Sequence, residues 1–250
     1  MRSAAIVALT AAVLSAGCAG GRPHGTAGVQ TTKKKTCTAG SFRRLGSERR
    51  ALTAVVRSRA TVLRRPGGRI LSTFARLNLN GVPTVFSILG ERVDAACRPV
   101  LYRVQVPLRP NGTTGWVSPA AVTVASVSTR LDVDVSERRL TLYRGGREVL
   151  HATVAVGATA TPTPIGRYYV NQRLVPRDPS GPFGPGAVGI SAFSNVLTGW
   201  TQGGPIAIHG TNAPWSIGRA VSNGCIRLPN RVLRRVFRIA IAGTPIVIHP

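Results

Sequence analysis

Acidic residues are scarce in this chain: 8 Asp and Glu stand against 33 Lys and Arg in 250 residues, a formal charge of +25. Lysine is scarcer still, confined to the run Lys33, Lys34 and Lys35, so nearly all the positive charge is arginine. A balance this lopsided implies a polyanion nearby, and net charge alone does not separate nucleic acid from an anionic membrane or wall polymer. Aromatic residues make up only 5% of the chain. With no recognisable nucleic-acid module or aromatic platform, nucleic-acid binding is disfavoured. Neither CxxC nor HxxxH occurs; structural zinc needs four ligands at tight spacing, so no metal and no cofactor is expected. The apolar run AAIVALTAAVLSAG after Met1 and Arg2 is too short to span a bilayer and has the length of the hydrophobic stretch of an export signal. The partners expected are therefore anionic cell-wall polymers or a membrane surface. What remains is a chain with 43% hydrophobic residues, enough for real cores in two modest domains.

The run ends at LSAGC, which is similar to bacterial lipoprotein signals and makes Cys18 a candidate for lipidation. Ser15 stands where such signals usually carry leucine, and a plain cleavable signal with an incidental cysteine is the alternative. Residues 1–18 are read as the signal and the chain as exported, to the periplasm or cell wall, anchored to the membrane if Cys18 is acylated. The Gly-, Thr- and Lys-rich residues 19–50 read as a flexible tether. An oxidising compartment permits Cys37 and Cys97 to pair, which leaves Cys225 as the odd thiol, either reactive or buried and inert.

From 51 to 127 short alternating runs such as AVVRSRATVL, VPTVFSIL and LYRVQVPL are punctuated by RPGG, LNLNG and RPNGTTG. Runs of that kind predict a small barrel of antiparallel strands. Between 128 and 250 strands resume, with Arg144 to Arg147 turning a hairpin and the Gly- and Pro-rich stretch 176–189 forming the wall or lid of a site. One helix is expected after Pro229, with Leu233 and Val236 among its apolar positions and Gly243 as its stop. The fold class is thus mainly β: a small antiparallel barrel, then a β-rich domain with one packed helix.

His209 and Cys225 lie sixteen residues apart, each beside a glycine, in a chain with four of each. A lone histidine at a strand end is more often a structural hydrogen bonder than a base. The turn Ser222-Asn223-Gly224 before Cys225 changes the reading. Nucleophilic attack on an amide needs a thiolate, a base and N–H donors aimed at the oxyanion. Gly224 lets a backbone approach closely and leaves the Cys225 N–H available, while His209 can serve as the base and lower the cysteine pKa in a thiolate–imidazolium pair.

Two resemblances follow. The opening VRSRATVL, the centre GERVDAACRPVLYRVQV and the closing Gly115-Trp116-Val117 resemble a bacterial Src-homology-3-type barrel, which implies a docking or spacing module. His209-Gly210, a loop, and then SNGCIRL resemble the L,D-transpeptidase catalytic domain of the YkuD type, supported by TPTPIG and GPFGPGAVGISAFS. That family implies Cys225 as nucleophile, His209 as base and Gly210 as the carbonyl orienting it. Ser222, Asn223, Gly224, Arg227 and Trp215 are then candidate substrate contacts, Arg227 by pairing with a stem carboxylate. Asn223 departs from the family's usual histidine at that position. The implied partners are peptidoglycan stem peptides, and the implied reaction is formation of 3-3 cross-links with release of D-alanine. Hydrolysis of the same acyl-enzyme, or a non-catalytic wall-binding role, are the alternatives.

Overall fold

The computed structural model describes residues 36–250. The expected signal, most of the tether and Cys18 lie outside the described residues.

The first sheet contains β1 (Phe42–Arg44), β2 (Ala51–Val56), β3 (Arg59–Leu63), β4 (Ile70–Ala75), β5 (Val85–Val93), β6 (Pro99–Gln105), β7 (Thr114–Val117) and β8 (Val122–Val127). They run in the order β4-β3-β7-β6-β5-β2-β8, with β1 also on β5, and every pairing is antiparallel. Ala60 and Val62 of β3 share one core with Val122 of β8, although these strands lie near opposite ends of that order. The sheet must therefore curl around a single core. The run AVVRSRATVL is two strands rather than one, because Arg57 and Ser58 turn between them. The stretch read as a tether over 19–50 is structured near its end: Phe42–Arg44 pairs with β5, and a Cys37–Cys97 disulfide fastens the segment just before it. Three residues are too few to announce a strand by alternation.

Only Ser128 separates β8 from the second half, which contains β9 (Thr129–Asp134), β10 (Arg139–Arg144), β11 (Arg147–Thr153), β12 (Val156–Gly157), β13 (Gly166–Leu174), β14 (Ala187–Phe193), β15 (Pro205–His209), β16 (Ala220–Ser222), β17 (Ile226–Arg227), α1 (Asn230–Ile239) and β18 (Pro245–His249). Its main sheet has the order β11-β10-β9-β18-β13-β14-β15-β17. The last strand is thus central, parallel to β9 and antiparallel to β13. The loop expected over 176–189 ends earlier, since Ala187 to Gly189 already pair with β13.

In α1, Leu233 and Val236 are fully buried, while Arg231, Arg234, Arg235 and Arg238 are exposed. This apolar stripe packs the helix beside β15, and each buried leucine or valine contributes roughly 1.5–3 kcal/mol. Pro229 sits at the N-cap, one place before the expected first turn, and Gly243, at φ +89°, turns the chain into β18.

The two halves are bonded together. Asn111 donates to the Phe193 carbonyl at 2.8 Å and accepts from its N–H at 2.9 Å. Arg109 donates to the carbonyls of Ser194 and Gly203, both at 2.6 Å. The buried Tyr169 hydroxyl donates to Val85 O at 3.1 Å.

Candidate active site

Strand β15, PIAIH, buries Ile206 and Ile208 completely in the core, so alternation turns Pro205, Ala207 and His209 to the opposite face. Strand β17 lies parallel beside it, with Ile208 opposite Ile226 and His209 opposite Arg227. That register brings Cys225 next to Ala207, whose backbone N–H hydrogen-bonds the cysteine sulfur. His209, Cys225 and Arg227 therefore share one face.

His209 is 4% exposed. Its Nδ1 donates to the Gly210 carbonyl at 2.5 Å, which leaves Nε2 as the basic nitrogen. Phe183 meets the imidazole edge-to-face at 5.0 Å between centroids. Burial pushes the His209 pKa down to about 4; the bond to Gly210 opposes this and the Arg227 charge adds to it. Burial also pushes the Cys225 thiol up, partly countered by the Ala207 N–H and by Arg227. Burial thus disfavours the charged form of each group, which runs against the lowered cysteine pKa expected from the residue types. Sequence carries no reading of how deeply the two are buried.

The turn before Cys225 is braced from within and without. Ser222 Oγ donates to Cys225 O at 2.5 Å and accepts from the Gly224 N–H at 3.1 Å. Gly224 has φ +103°, where side chains are disfavoured, and a Cβ there would press on Ile206 at 3.0 Å. Thr163 Oγ1 donates to Gly224 O at 3.0 Å while accepting the Gly157 N–H at 2.8 Å. Thr161 Oγ1 donates to Ser222 O at 2.9 Å. In a trans peptide the C=O and N–H point in opposite directions, so fixing the Gly224 carbonyl on Thr163 aims the Cys225 N–H the other way. Among the described residues that N–H has no hydrogen-bond acceptor.

Gly210 is needed for close approach: a Cβ there would collide with Asn230 Oδ1 and press on Pro185. Asn230 Oδ1 accepts the Thr211 N–H at 2.8 Å, so the first residue of α1 holds the chain just after the histidine. Arg227 is partly buried, and its Nε has no partner among the described residues. Asn223 is exposed and makes no side-chain hydrogen bond among the described residues; the turn is held by Ser222, Thr161 and Thr163 instead. Trp215 is 61% exposed, with the Arg219 guanidinium 5.8 Å from its ring. No group of three or more His, Cys, Asp or Glu able to hold a metal occurs among the described residues.

Thr161, Thr163, Phe183 and Asn230 were not singled out by sequence reasoning. TPTP was legible as a stiff turn, but its contact with residues some sixty positions later was not.

The family model of the L,D-transpeptidase catalytic domain, YkuD, matches residues 128–248. The match covers just under half of the chain. Among curated proteins, the second half is similar to YkuD of Bacillus subtilis, provisionally named an L,D-transpeptidase, with 38% identity over 47% of this chain and 63% of that protein. A Bacillus licheniformis protein of the same provisional name is 39% identical over 48% of this chain and 66% of its own length. The chain spans less than two thirds of the length of these relatives. Among solved structures, a mutant L,D-transpeptidase of Enterococcus faecium is 23% identical over 48% of this chain and 49% of that one, with a TM-score of 0.37.

Proposed function

We propose that the protein is an exported cysteine L,D-transpeptidase that cross-links peptidoglycan stem peptides. The observation that carries this reading is the β15–β17 register, which sets His209, Cys225 and Arg227 on one face, with the Cys225 N–H unbonded among the described residues. Because burial disfavours the charged form of both groups, proton transfer from Sγ to His209 Nε2 accompanies attack rather than preceding it. The sulfur adds to the carbonyl carbon of the third stem residue, and the oxyanion is held by the Cys225 N–H. The tetrahedral adduct collapses by breaking the C–N bond to terminal D-alanine, whose amine takes the proton back from His209. A thioester remains. The side-chain amine of the diamino acid on a second stem then attacks, loses a proton to His209, and expels the thiolate, which takes that proton back as the 3-3 amide is formed.

Arg227 offers a guanidinium to a stem carboxylate. The surplus of arginine suits retention on anionic wall polymers or a membrane surface, and Cys18 remains the proposed lipidation site. The barrel then serves to dock the enzyme on the wall.

Incubation with a disaccharide-tetrapeptide, followed by mass spectrometry, tests the reading. Cross-linked dimer with free D-alanine supports it. Tripeptide alone would assign an L,D-carboxypeptidase, in which water resolves the thioester, and neither product from folded protein would reject catalysis.

A further inference from the structure

Between the curled first sheet and the transpeptidase domain lies a cavity of about 410 Å³, within the size range of small-molecule sites. Its floor is apolar: Phe74, Val85 and Leu108 come from one side, Phe193 and Pro205 from the other. Its polar groups are mostly carboxamides, those of Asn78, Asn80, Asn171, Gln172 and Gln202. Among the described residues no charged one lines it, in a chain with 33 Lys and Arg. A carboxamide both donates and accepts, which matches hydroxyl and acetamido groups, whereas a desolvated carboxylate or ammonium would meet no counter-charge there.

The carboxamides already bond across the cleft. Gln172 Oε1 accepts from Asn78 at 3.0 Å and from Asn80 at 2.8 Å, and Gln202 donates to Asn80 at 3.1 Å. These bonds hold the rim of the cleft in place. Asn171 is different: its Oδ1 is buried and has no partner among the described residues. A buried acceptor is ordinarily satisfied, and a ligand N–H or O–H would satisfy this one.

The cleft also stands in register with the nucleophile. Gln172 pairs with Gly189, Gly189 with Ala207, and Ala207 neighbours Cys225. Three strand spacings cover about 14 Å. An extended peptide spans that distance in about four residue lengths. The two positions between are glycine and alanine, the smallest side chains, so the row between cleft and sulfur is low.

We infer that this cleft binds an uncharged N-acetylated hexose of the glycan strand that carries the stem peptide, holding the sugar while the third stem residue reaches Cys225. The inference rests on the transpeptidase reading for its geometry, but sugar binding is measurable without catalysis. The acetamido methyl and the C–H face of the pyranose lie on the apolar floor, and the hydroxyls and acetamido N–H meet the carboxamides.

The probe is a β-1,4-linked tetramer of N-acetylglucosamine, titrated into the full chain by calorimetry. Saturable binding is expected, weakened roughly ten-fold by Asn171→Leu, the value of one lost hydrogen bond of this kind. Leu108→Trp, which fills the floor, is expected to weaken it further, and Gln202→Ala is a milder third variant should either of these melt early. In turnover assays, the KM advantage of disaccharide-tetrapeptide over free tetrapeptide disappears in the variants while free-peptide kinetics stay unchanged. Absence of saturable binding, or binding indifferent to all three substitutions, overturns the inference. So does a loss confined to free tetrapeptide, which would make the cleft a peptide site. Acylation of Cys225 by a β-lactam, read by intact mass, separates the two ideas. Acylation without tetramer binding removes the glycan cleft alone, whereas tetramer binding with an inert Cys225 keeps the cleft and removes the transpeptidase reading.

Discussion

Thr163 holds the peptide that carries the Cys225 N–H: its hydroxyl donates to Gly224 O at 3.0 Å from the far side of the turn. Thr163→Val keeps the shape and removes that donor along with the acceptor for Gly157. Loss of one oxyanion donor costs on the order of 10²–10³ in rate, so β-lactam acylation of Cys225 is expected to slow by about 10-fold to 10²-fold, since the N–H is misaimed rather than deleted. Thr163→Ser is expected to restore the rate. Intact-protein mass spectrometry over time reads both, and equal rates in wild type and Thr163→Val would remove the positioning role.

His209→Ala is expected to slow acylation by about 10²- to 10⁴-fold, the usual range for a general base. The depressed pKa also predicts the pH profile. The base is charged only below about pH 4, so the acidic limb of kcat/KM should lie near pH 4 rather than near the ordinary imidazole value. A limb near 6.5 would show that His209 is solvated when it acts.

The same burial makes stability depend on pH. Between the ordinary value of 6.5 and about 4, the unfolded chain takes up a proton that folded His209 refuses. Its contribution is therefore full above pH 6.5 and declines on acidification by about 1.4 kcal/mol per pH unit, levelling near pH 4. His249 has the opposite sign: its pKa is raised, chiefly by its hydrogen bond to Asp132, so its contribution is present at low pH and lost as pH rises through the raised value. His209→Gln is expected to remove only the first slope. Denaturant titrations of both proteins at pH 7, 6 and 5 would show a difference that shrinks on acidification.

Asn223→Ala is expected to change stability by less than about 0.5 kcal/mol, as for an ordinary surface substitution, and to slow acylation far less than His209→Ala. Abolition of the adduct by Asn223→Ala, with His209→Ala unaffected, would reassign the base.

Reducing the Cys37–Cys97 bond frees a segment 60 residues from its partner. A loop of that size corresponds to about 4 kcal/mol, and β1 is the strand expected to loosen first. Hydrogen exchange with and without reductant would reveal protection lost at Phe42 to Arg44.

Much of this molecule is written locally. The alternation in PIAIH, the turn chemistry of Ser222 to Gly224 and the stripe of α1 depend on neighbours in sequence, and each was legible. The register that joins them is not local: nothing in TPTP announces that two hydroxyls will hold a turn about sixty residues away. Nor does GPFGPG show that Phe183 will lie against His209. The direction of the pKa shifts is hidden for the same reason, since residue types suggest an ion pair and only packing reveals how little water reaches it.

The bonds from Asn111 and Arg109 to residues 193, 194 and 203 lie in the chain leading into the strand that ends at His209. The first half is therefore part of the jig in which the strand bearing His209 is set, so the two halves are not interchangeable parts. Exchanging the first half for another module would discard the clamps on that strand, and a chain rebuilt in this way would need new ones before its histidine came to rest in the same place.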